Sequence, residues 1–380
     1  MKKNIAVIFG GRSAEHDVSI ITAHIPIIQS LLAIGSFNVY PIYISKQGIW
    51  YSNQAMKSMD YFKGDFEKRL NEKDIVNLSI NNGLTILFSG IFAKPVKIDI
   101  AFPAMHGTFG EDGSLMGLLR LASIPFVGCD LFASAVAMDK VLTKQVLSAE
   151  DINIVPYIWF TKSDWENNKS DIVGKINKLN WPLFVKPVHL GSSIAITQVK
   201  DVSQLNNAIE VALHYDDKVL VEESIPNLIE VTLPIMGNND NLVLAGVERT
   251  LTNKFFDFES KYLSGTKDRP QVTEIPANIN KDLIDQVNDL GKRTYKTLGC
   301  SGIARVDFLI NSADNKIYVN EVNTLPGSLY HHNWKKMGIS NVDLVSKLIL
   351  LAEERFDSQK DITHTFKSDI LSKMNRGNKS

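Results

Sequence analysis

The chain has 380 residues, 44% of them hydrophobic and 22% charged, which is the composition of a folded protein and not of a disordered one. Its 41 Lys and Arg against 42 Asp and Glu leave a net charge of -1, so it lacks the basic footprint of a nucleic-acid or acidic-lipid binder. The length allows about two to four domains, which excludes one small module. Cys129 and Cys300 form no CxxC pair, so the expectation is two reduced structural cysteines, with neither a disulfide framework nor a cysteine zinc site.

In chain order, Ile5 to Phe9 is a continuous apolar run that stops at Gly10-Gly11, the pattern of a parallel strand covered on both faces. Ser13 to Ser19 is polar and leads into a helix over Ile20 to Leu32. The same strand, glycine loop and helix order recurs as Ile98 to Phe102, His106 to Gly113 and Leu115 to Leu121. Polar loops at strand ends are where open α/β sheets bind ligands. Beyond Gly128 a helix over Ser134 to Ala149 is expected, then a strand at Leu183 to Pro187 and a glycine-serine loop at Gly191-Ser192-Ser193. Val219 to Glu223 and the segment from Glu230 read as further strands.

These shifts divide the chain into 1–128, an N-terminal open parallel α/β domain, then 129–224, 225–357 and a polar tail over 358–380 expected to fray from about Phe356. Residues 252–273 mix aromatics, Gly265, Pro270 and charges without periodicity, as a lid loop does. No stretch approaches the roughly 18 apolar residues of a membrane span, and the expectation is a soluble, cytoplasmic protein without membrane insertion.

The densest chemistry lies near the C-terminal end. Gly302 to Ile310 alternates, breaks over 311–315, and resumes from Lys316 to Asn323, as in a hairpin. Period two puts Arg305 and Asp307 on one face of the first strand, and Glu321 and Asn323 on one face of the second. Three oxygen donors and a guanidinium on one side suit Mg²⁺ and phosphate oxygens. The competing reading is a solvated face with local ion pairs. Lys186 and Gly191-Ser192-Ser193 would suit a nucleotide phosphate, but such residues are more often a surface charge and a turn, and neither GxxxxGK[ST] nor GxGxxG is present.

Gly10-Gly-Arg-Ser-Ala-Glu15-His16-Asp-Val-Ser19, His106-Gly-Thr-Phe-Gly-Glu111-Asp-Gly113, Met138-Asp-Lys140, Lys186-Pro-Val-His-Leu-Gly-Ser192-Ser193, Phe258-Glu-Ser-Lys261-Tyr262, Gly302-Ile-Ala-Arg305-Val-Asp307 and Asn320-Glu321-Val-Asn323-Thr-Leu-Pro326-Gly327 follow one another in order. The series resembles the D-alanine-D-alanine ligase family of the ATP-grasp superfamily, over about residues 4 to 352. The resemblance implies an α/β domain followed by a two-lobed, α+β ATP-grasp part that holds ATP between its sheets. It also implies the reaction: ATP activates one D-alanine as an acyl phosphate, and a second D-amino or D-hydroxy acid attacks it, making a peptidoglycan precursor. A homodimer is implied as well.

Carried over by position, Lys140, Lys186 and Ser193 would contact ATP phosphates, Glu222 the adenine amino group, Glu230 the ribose and Lys261 the transferred phosphate. Asp307, Glu321 and Asn323 match ligands for two magnesium ions, with Mn²⁺ as an alternative. Glu15 would hold the ammonium of the first D-alanine, linked through Ser192 to Tyr262, and His106 its carboxylate. Arg305 and the Gly327 N–H match the oxyanion-stabilising groups. Taken singly, Glu15 would read as a helix-terminal acid, His106 as a loop histidine with one backbone bond and Tyr262 as a packed aromatic.

After Gly327 the chain departs from the family pattern. It reads Ser328-Leu-Tyr330-His331-His332-Asn333-Trp334 where a threonine and then a serine for the second substrate's carboxylate are usual. Direct counting puts His332 at the serine, and a short gap brings in Ser328 instead. Tyr330 and Trp334 either shape that pocket or, four apart on one helix, anchor it to the core. Leu190, Ala195 and Ile229 are smaller departures around the ATP positions. The rivals to a D-alanyl-D-alanine ligase are a ligase with another second substrate, such as D-serine or D-lactate, and an ATP-binding pseudoenzyme.

Overall fold

The computed structural model describes residues 2–81, 83–90, 93–251 and 273–371. The apolar run at the N-terminus forms the strand Lys3–Gly10, with Ile5 to Phe9 fully buried. It pairs in parallel with Phe37–Ile44 on one side and Ile100–Pro103 on the other, and Trp50–Tyr51 closes the far edge antiparallel. The run expected from Ile98 to Phe102 is interrupted at Asp99, whose carboxylate accepts from Asn4 N–H at 2.8 Å. Val96–Ile98 therefore belongs to a separate sheet with Val76–Ser79 and Leu84–Phe88.

The helical stretch His16–Ile34 covers the parallel sheet, with a π-helical segment Ala23–Ile28 around Pro26. By length and composition it is apolar enough to cross a membrane, contrary to the sequence expectation, yet 61% of that window is buried inside the protein. Ile20, Ala23, Ile27, Ile28 and Leu31 all sit in the core, so its apolarity is accounted for by packing.

The helix expected over Ser134 to Ala149 is two helices, Leu131–Met138 and Lys140–Ala149. The break falls at Asp139, which leaves the helical region and caps the second helix by accepting from the Val141 and Leu142 N–H groups at 2.8 and 2.9 Å. Lys140 thereby becomes a first-turn residue. The next sheet runs Thr197–Val199, Leu183–Pro187, Lys218–Glu223, Tyr157–Thr161, all antiparallel.

The third sheet runs Thr273–Glu274, Glu248–Thr250, Leu228–Asn238, Gly302–Asn311, Lys316–Asn323, with Asn241–Leu244 paired to Leu228–Asn238. The hairpin turn is 312–315, one residue shorter than expected, because Asn311 pairs with Lys316. A register shift follows Asp307: Asp307 faces Glu321, while Phe308 faces Val319 and leaves Asn320 unpaired. The last long helix, Asn341–Ser358, is capped by a Ser340–Asp343 capping box and continues past Phe356, where fraying was expected. Both cysteines are free and buried.

Candidate active site

Glu15 stands just before the helix His16–Thr22 but does not cap it. Its carboxylate instead accepts a hydrogen bond from Ser192 Oγ, in the glycine-serine loop that follows the strand Leu183–Pro187. The approach is close: a Cβ on Gly107 would meet Glu15 Oε2 at 2.8 Å, and one on Gly191 would meet it at 3.1 Å. Burial, and then the Glu111 carboxylate, push the Glu15 carboxyl above the usual range.

His106 is buried and does more than a loop histidine. Its Nε2 is hydrogen-bonded to Thr22 Oγ1 at 2.7 Å and its Nδ1 lies 4.0 Å from Glu111. Burial disfavours the imidazolium, but Glu111 and Glu15 outweigh it and raise the pKa. Thr22 Oγ1 also accepts from the Ser328 N–H at 2.8 Å, which fastens the segment after Gly327 to the helix that follows Glu15. Thr22 was invisible to motif reasoning, because it lies inside a helix with no chemistry of its own.

Lys140 Nζ donates to the carbonyls of Leu190 at 2.7 Å and Val188 at 3.3 Å, in the same glycine-serine loop. Lys186 is buried and not a surface charge. It is bonded to Glu222 Oε1, while Lys144 Nζ forms an ion pair with Glu222 Oε2 at 3.0 Å whose angle falls short of a hydrogen bond. Burial opposes charge on Glu222, but the two lysines hold it ionised, with a pKa of about 2. Glu222 was expected to meet an adenine amino group, and here it holds Lys186 and Lys144. Lys144 was missed, although its place one turn after Lys140 on the same helix face was a usable signal.

In the third sheet, residues opposite one another share a face. The register sets Thr232 beside Asp307, which in turn faces Glu321, Pro234 beside Arg305, which faces Asn323, and Glu230 beside Leu309. The unpaired Asn320 is what turns Glu321 onto this face. Arg305 donates to both Asp307 oxygens, at 2.7 and 2.6 Å, and Asn323 Nδ2 donates to Asp307 Oδ2 at 3.1 Å. With side chains only 19% and 13% exposed, Arg305 and Asp307 are not a solvated hairpin face. Asp307, Glu321 and Asn323 offer the oxygen donors that a hard divalent cation takes, with both Asp307 oxygens engaged by Arg305 in this structure. Glu321 is near enough for its charge to act on both Glu15 and Lys140, so the three regions converge.

Ser328, Leu329 and Tyr330 take φ of 50°, 53° and 53°, and the helix begins only at His331. Tyr330 and Trp334 therefore do not share one helix, and their roles separate. Trp334 is fully buried in the core. Tyr330 lies beneath the guanidinium of Arg305, 5.0 Å from ring centroid to Cζ, with its hydroxyl 3.2 Å from Thr232 Oγ1. His332 Nε2 lies 2.9 Å from Glu248 Oε2, a buried carboxylate that also accepts from Asn333 Nδ2 at 3.1 Å. Lys261 and Tyr262, with nearly all of the expected lid, lie outside the described residues.

The sequence matches the D-ala D-ala ligase N-terminus family over residues 4–129 and the D-ala D-ala ligase C-terminus family over 146–350. A D-alanine–D-alanine ligase from Thermosipho melanesiensis is 39% identical, the match covering 95% of this chain and 96% of the relative. The solved D-alanine-D-alanine ligase from Coxiella burnetii is similar with a TM-score of 0.78 at 28% identity, covering 100% and 99% of the two chains. The VanG D-Ala:D-Ser ligase from Enterococcus faecalis is similar with a TM-score of 0.77 at 31% identity, covering 93% and 100%.

The fold is thus that of an ATP-grasp enzyme, an ATP-dependent C–N bond-forming ligase. The chain belongs to the D-alanine–D-alanine ligase family.

Proposed function

We propose that this enzyme joins two D-alanines into D-alanyl-D-alanine in the cytoplasm, for peptidoglycan precursors, working as a homodimer. The division is 1–128 for the first substrate and 129–224 with 225–357 for ATP. The observation that carries the reading is the Ser192–Glu15 hydrogen bond, which joins the acid for the first ammonium to the loop for the nucleotide phosphate.

Lys140, Lys186, Ser193 and, from the lid, Lys261 hold the ATP phosphates, and Glu230 meets the ribose. Glu222, paired with Lys186 and Lys144, is the residue for the adenine amino group. Asp307, Glu321 and Asn323 would hold divalent ions, two Mg²⁺ with Mn²⁺ as a substitute, and such ions would supply charge neutralisation at the transferring phosphoryl group. Glu15 and His106 fix the ammonium and carboxylate of the first D-alanine, so its carboxylate oxygen takes the γ-phosphoryl group while ADP leaves. Attack by the second amine on the acyl carbon puts negative charge on its oxygen. Arg305 and the Gly327 N–H receive that charge until phosphate departs and the new C–N bond remains. Ser192 completes the network around Glu15, and Tyr262, outside the described residues, would join it.

A second reading, a ligase for D-alanine and another D-amino or D-hydroxy acid, is favoured by the second-substrate wall. Ser328 and His332 are its substrate-facing candidates, and the tie of His332 to the Glu248 carboxylate leaves a wall different from a serine hydroxyl. The test is phosphate release from Mg²⁺-ATP with D-alanine alone, then with a panel of D- and L-amino acids and D-hydroxy acids, with products identified by mass. Dipeptide from D-alanine alone establishes the first reading. Product only with a second compound establishes the second, and silence throughout rejects both in favour of a binding protein.

A further inference from the structure

The loop that carries Ser192 is held in a costly conformation. Ser192, Ser193 and Ala195 have φ of 54°, 58° and 56°, in the left-handed region that residues with a Cβ avoid. A loop of that kind keeps its shape only if its ends are tied down. Lys140 ties one point, through the Val188 and Leu190 carbonyls. Between those two carbonyls stands His189, which no step of the proposed reaction uses.

His189 is bonded on both edges of its ring. Nδ1 lies 3.0 Å from Asp216 Oδ1 and Nε2 lies 3.3 Å from Asp139 Oδ2, while the His189 backbone N–H donates to Asp216 Oδ2 at 2.6 Å. Asp139 caps the helix that opens with Lys140, and Asp216 precedes the strand Lys218–Glu223 that carries Glu222. One imidazole therefore links the glycine-serine loop to the two elements that supply the nearby lysine and carboxylate. Donating to both carboxylates takes a proton on each nitrogen, and a neutral ring can serve only one of them.

The other charges around it are consistent with an imidazolium. Lys218 Nζ donates to Asp139 Oδ2 at 2.8 Å, Asp217 lies at the exposed edge beside Asp216, and Lys140, held on the Leu190 carbonyl, is near enough for the Asp216 charge to act on it. Although His189, Asp216 and Asp217 cluster closely enough for a metal ion, the ammonium of Lys218 and the ring's own protons supply the cluster's positive charge. The Asp139 and Asp216 hydrogen bonds outweigh burial and hold the ring's pKa up to about 9.

We propose that His189 is a positioning residue for the nucleotide: in its doubly protonated form it clamps the Gly191-to-Ser193 loop between Asp139 and Asp216, in the shape that receives the ATP phosphates. This rests on the reading of that loop, with Lys140 and Lys186, as the phosphate site. The clamp adds no contact to ATP and acts on KM for ATP more than on kcat. It loosens as pH rises through the His189 titration.

The test is steady-state kinetics from about pH 7 to about pH 10 on the full enzyme and on His189→Gln, His189→Arg and Lys186→Ala. Wild type should show KM for ATP rising through about pH 9. His189→Gln should raise that KM about tenfold at neutral pH, the equivalent of one charge-assisted hydrogen bond, with kcat little changed and the alkaline rise flattened. His189→Arg, cationic throughout, should keep a low KM without the rise. A His189→Gln enzyme with wild-type KM and an unchanged alkaline limb overturns the clamp, provided Lys186→Ala raises KM. If Lys186→Ala leaves KM unchanged too, the phosphate-site reading falls and the clamp with it. Should the variants fold poorly, imidazole NMR of the wild-type enzyme decides: a neutral His189 ring at pH 7 overturns the proposal.

Discussion

Ser192 Oγ donates a hydrogen bond to the Glu15 carboxylate, across a sequence separation of 177 residues. The bond joins the loop after the first strand of the N-terminal sheet to the glycine-serine loop of the following one. It also opposes the burial and the Glu111 charge that raise the Glu15 pKa.

Ser192→Ala removes that opposition, so Glu15 takes up a proton at a higher pH than in wild type. The expected result is a fall of about ten- to a hundredfold in kcat/KM for the first D-alanine, steeper toward acid pH. Thermal unfolding should show a loss of only about 1 kcal/mol. A variant with an unshifted acid limb in its pH profile would show that the bond does not govern Glu15.

Lys144 and Lys186 share the buried Glu222. Its folded pKa of about 2 lies below its unfolded value, so the stabilisation is full above the ordinary 4.5 and is lost as pH falls through about 2. Glu222→Gln strands two buried ammonium groups and should cost about 3–5 kcal/mol at neutral pH. Urea midpoints measured on both proteins from neutral pH downward should converge in acid. A constant gap would mean that Glu222 stabilises by packing and not by charge.

Asp307 and Glu321 face each other across the hairpin. Asp307→Asn and Glu321→Gln should each lower turnover by more than about a hundredfold if they hold divalent ions at the transferring phosphoryl group. Unfolding midpoints should move far less than activity does. Wild-type turnover in both variants would remove these residues from the metal site.

The His332 ring is tied to Glu248, and this tie holds the Glu248 carboxyl below its usual range against the effect of burial. His332→Ser leaves Glu248 with Asn333 and Thr273 as its hydrogen-bond partners. The expected outcome is a shift in relative kcat/KM among second substrates, with KM for ATP unchanged. Identical ratios across a panel of nucleophiles would make the His332–Glu248 pair a packing feature.

The strand Lys3–Gly10 was legible because a fully apolar run requires cover on both faces, and the hairpin Gly302–Asn311 with Lys316–Asn323 because alternation assigns faces directly. The ordered motifs carried the family. At Asp139 the apolar spacing of one helix continues across a residue whose carboxylate takes the N–H groups of the next turn, so the expected helix is two. Ser328 to Tyr330 take a left-handed backbone that has no signature in residues that usually avoid it.

The sequence by itself determined the family, the strand Lys3–Gly10 and the pairing of Arg305 with Asp307 and of Glu321 with Asn323 on one face of each hairpin strand, because periodicity and motif order are local properties, whereas the unpaired Asn320 that brings the two pairs onto a common face belongs to the strand register. Only the tertiary structure decided that Glu222 holds two lysines, that Glu15 meets Ser192, that Thr22 fastens Ser328, and that His332 turns to Glu248. Each of those contacts joins segments distant in the chain, and its strength depends on burial and direction, which exist only once the sheets are packed together.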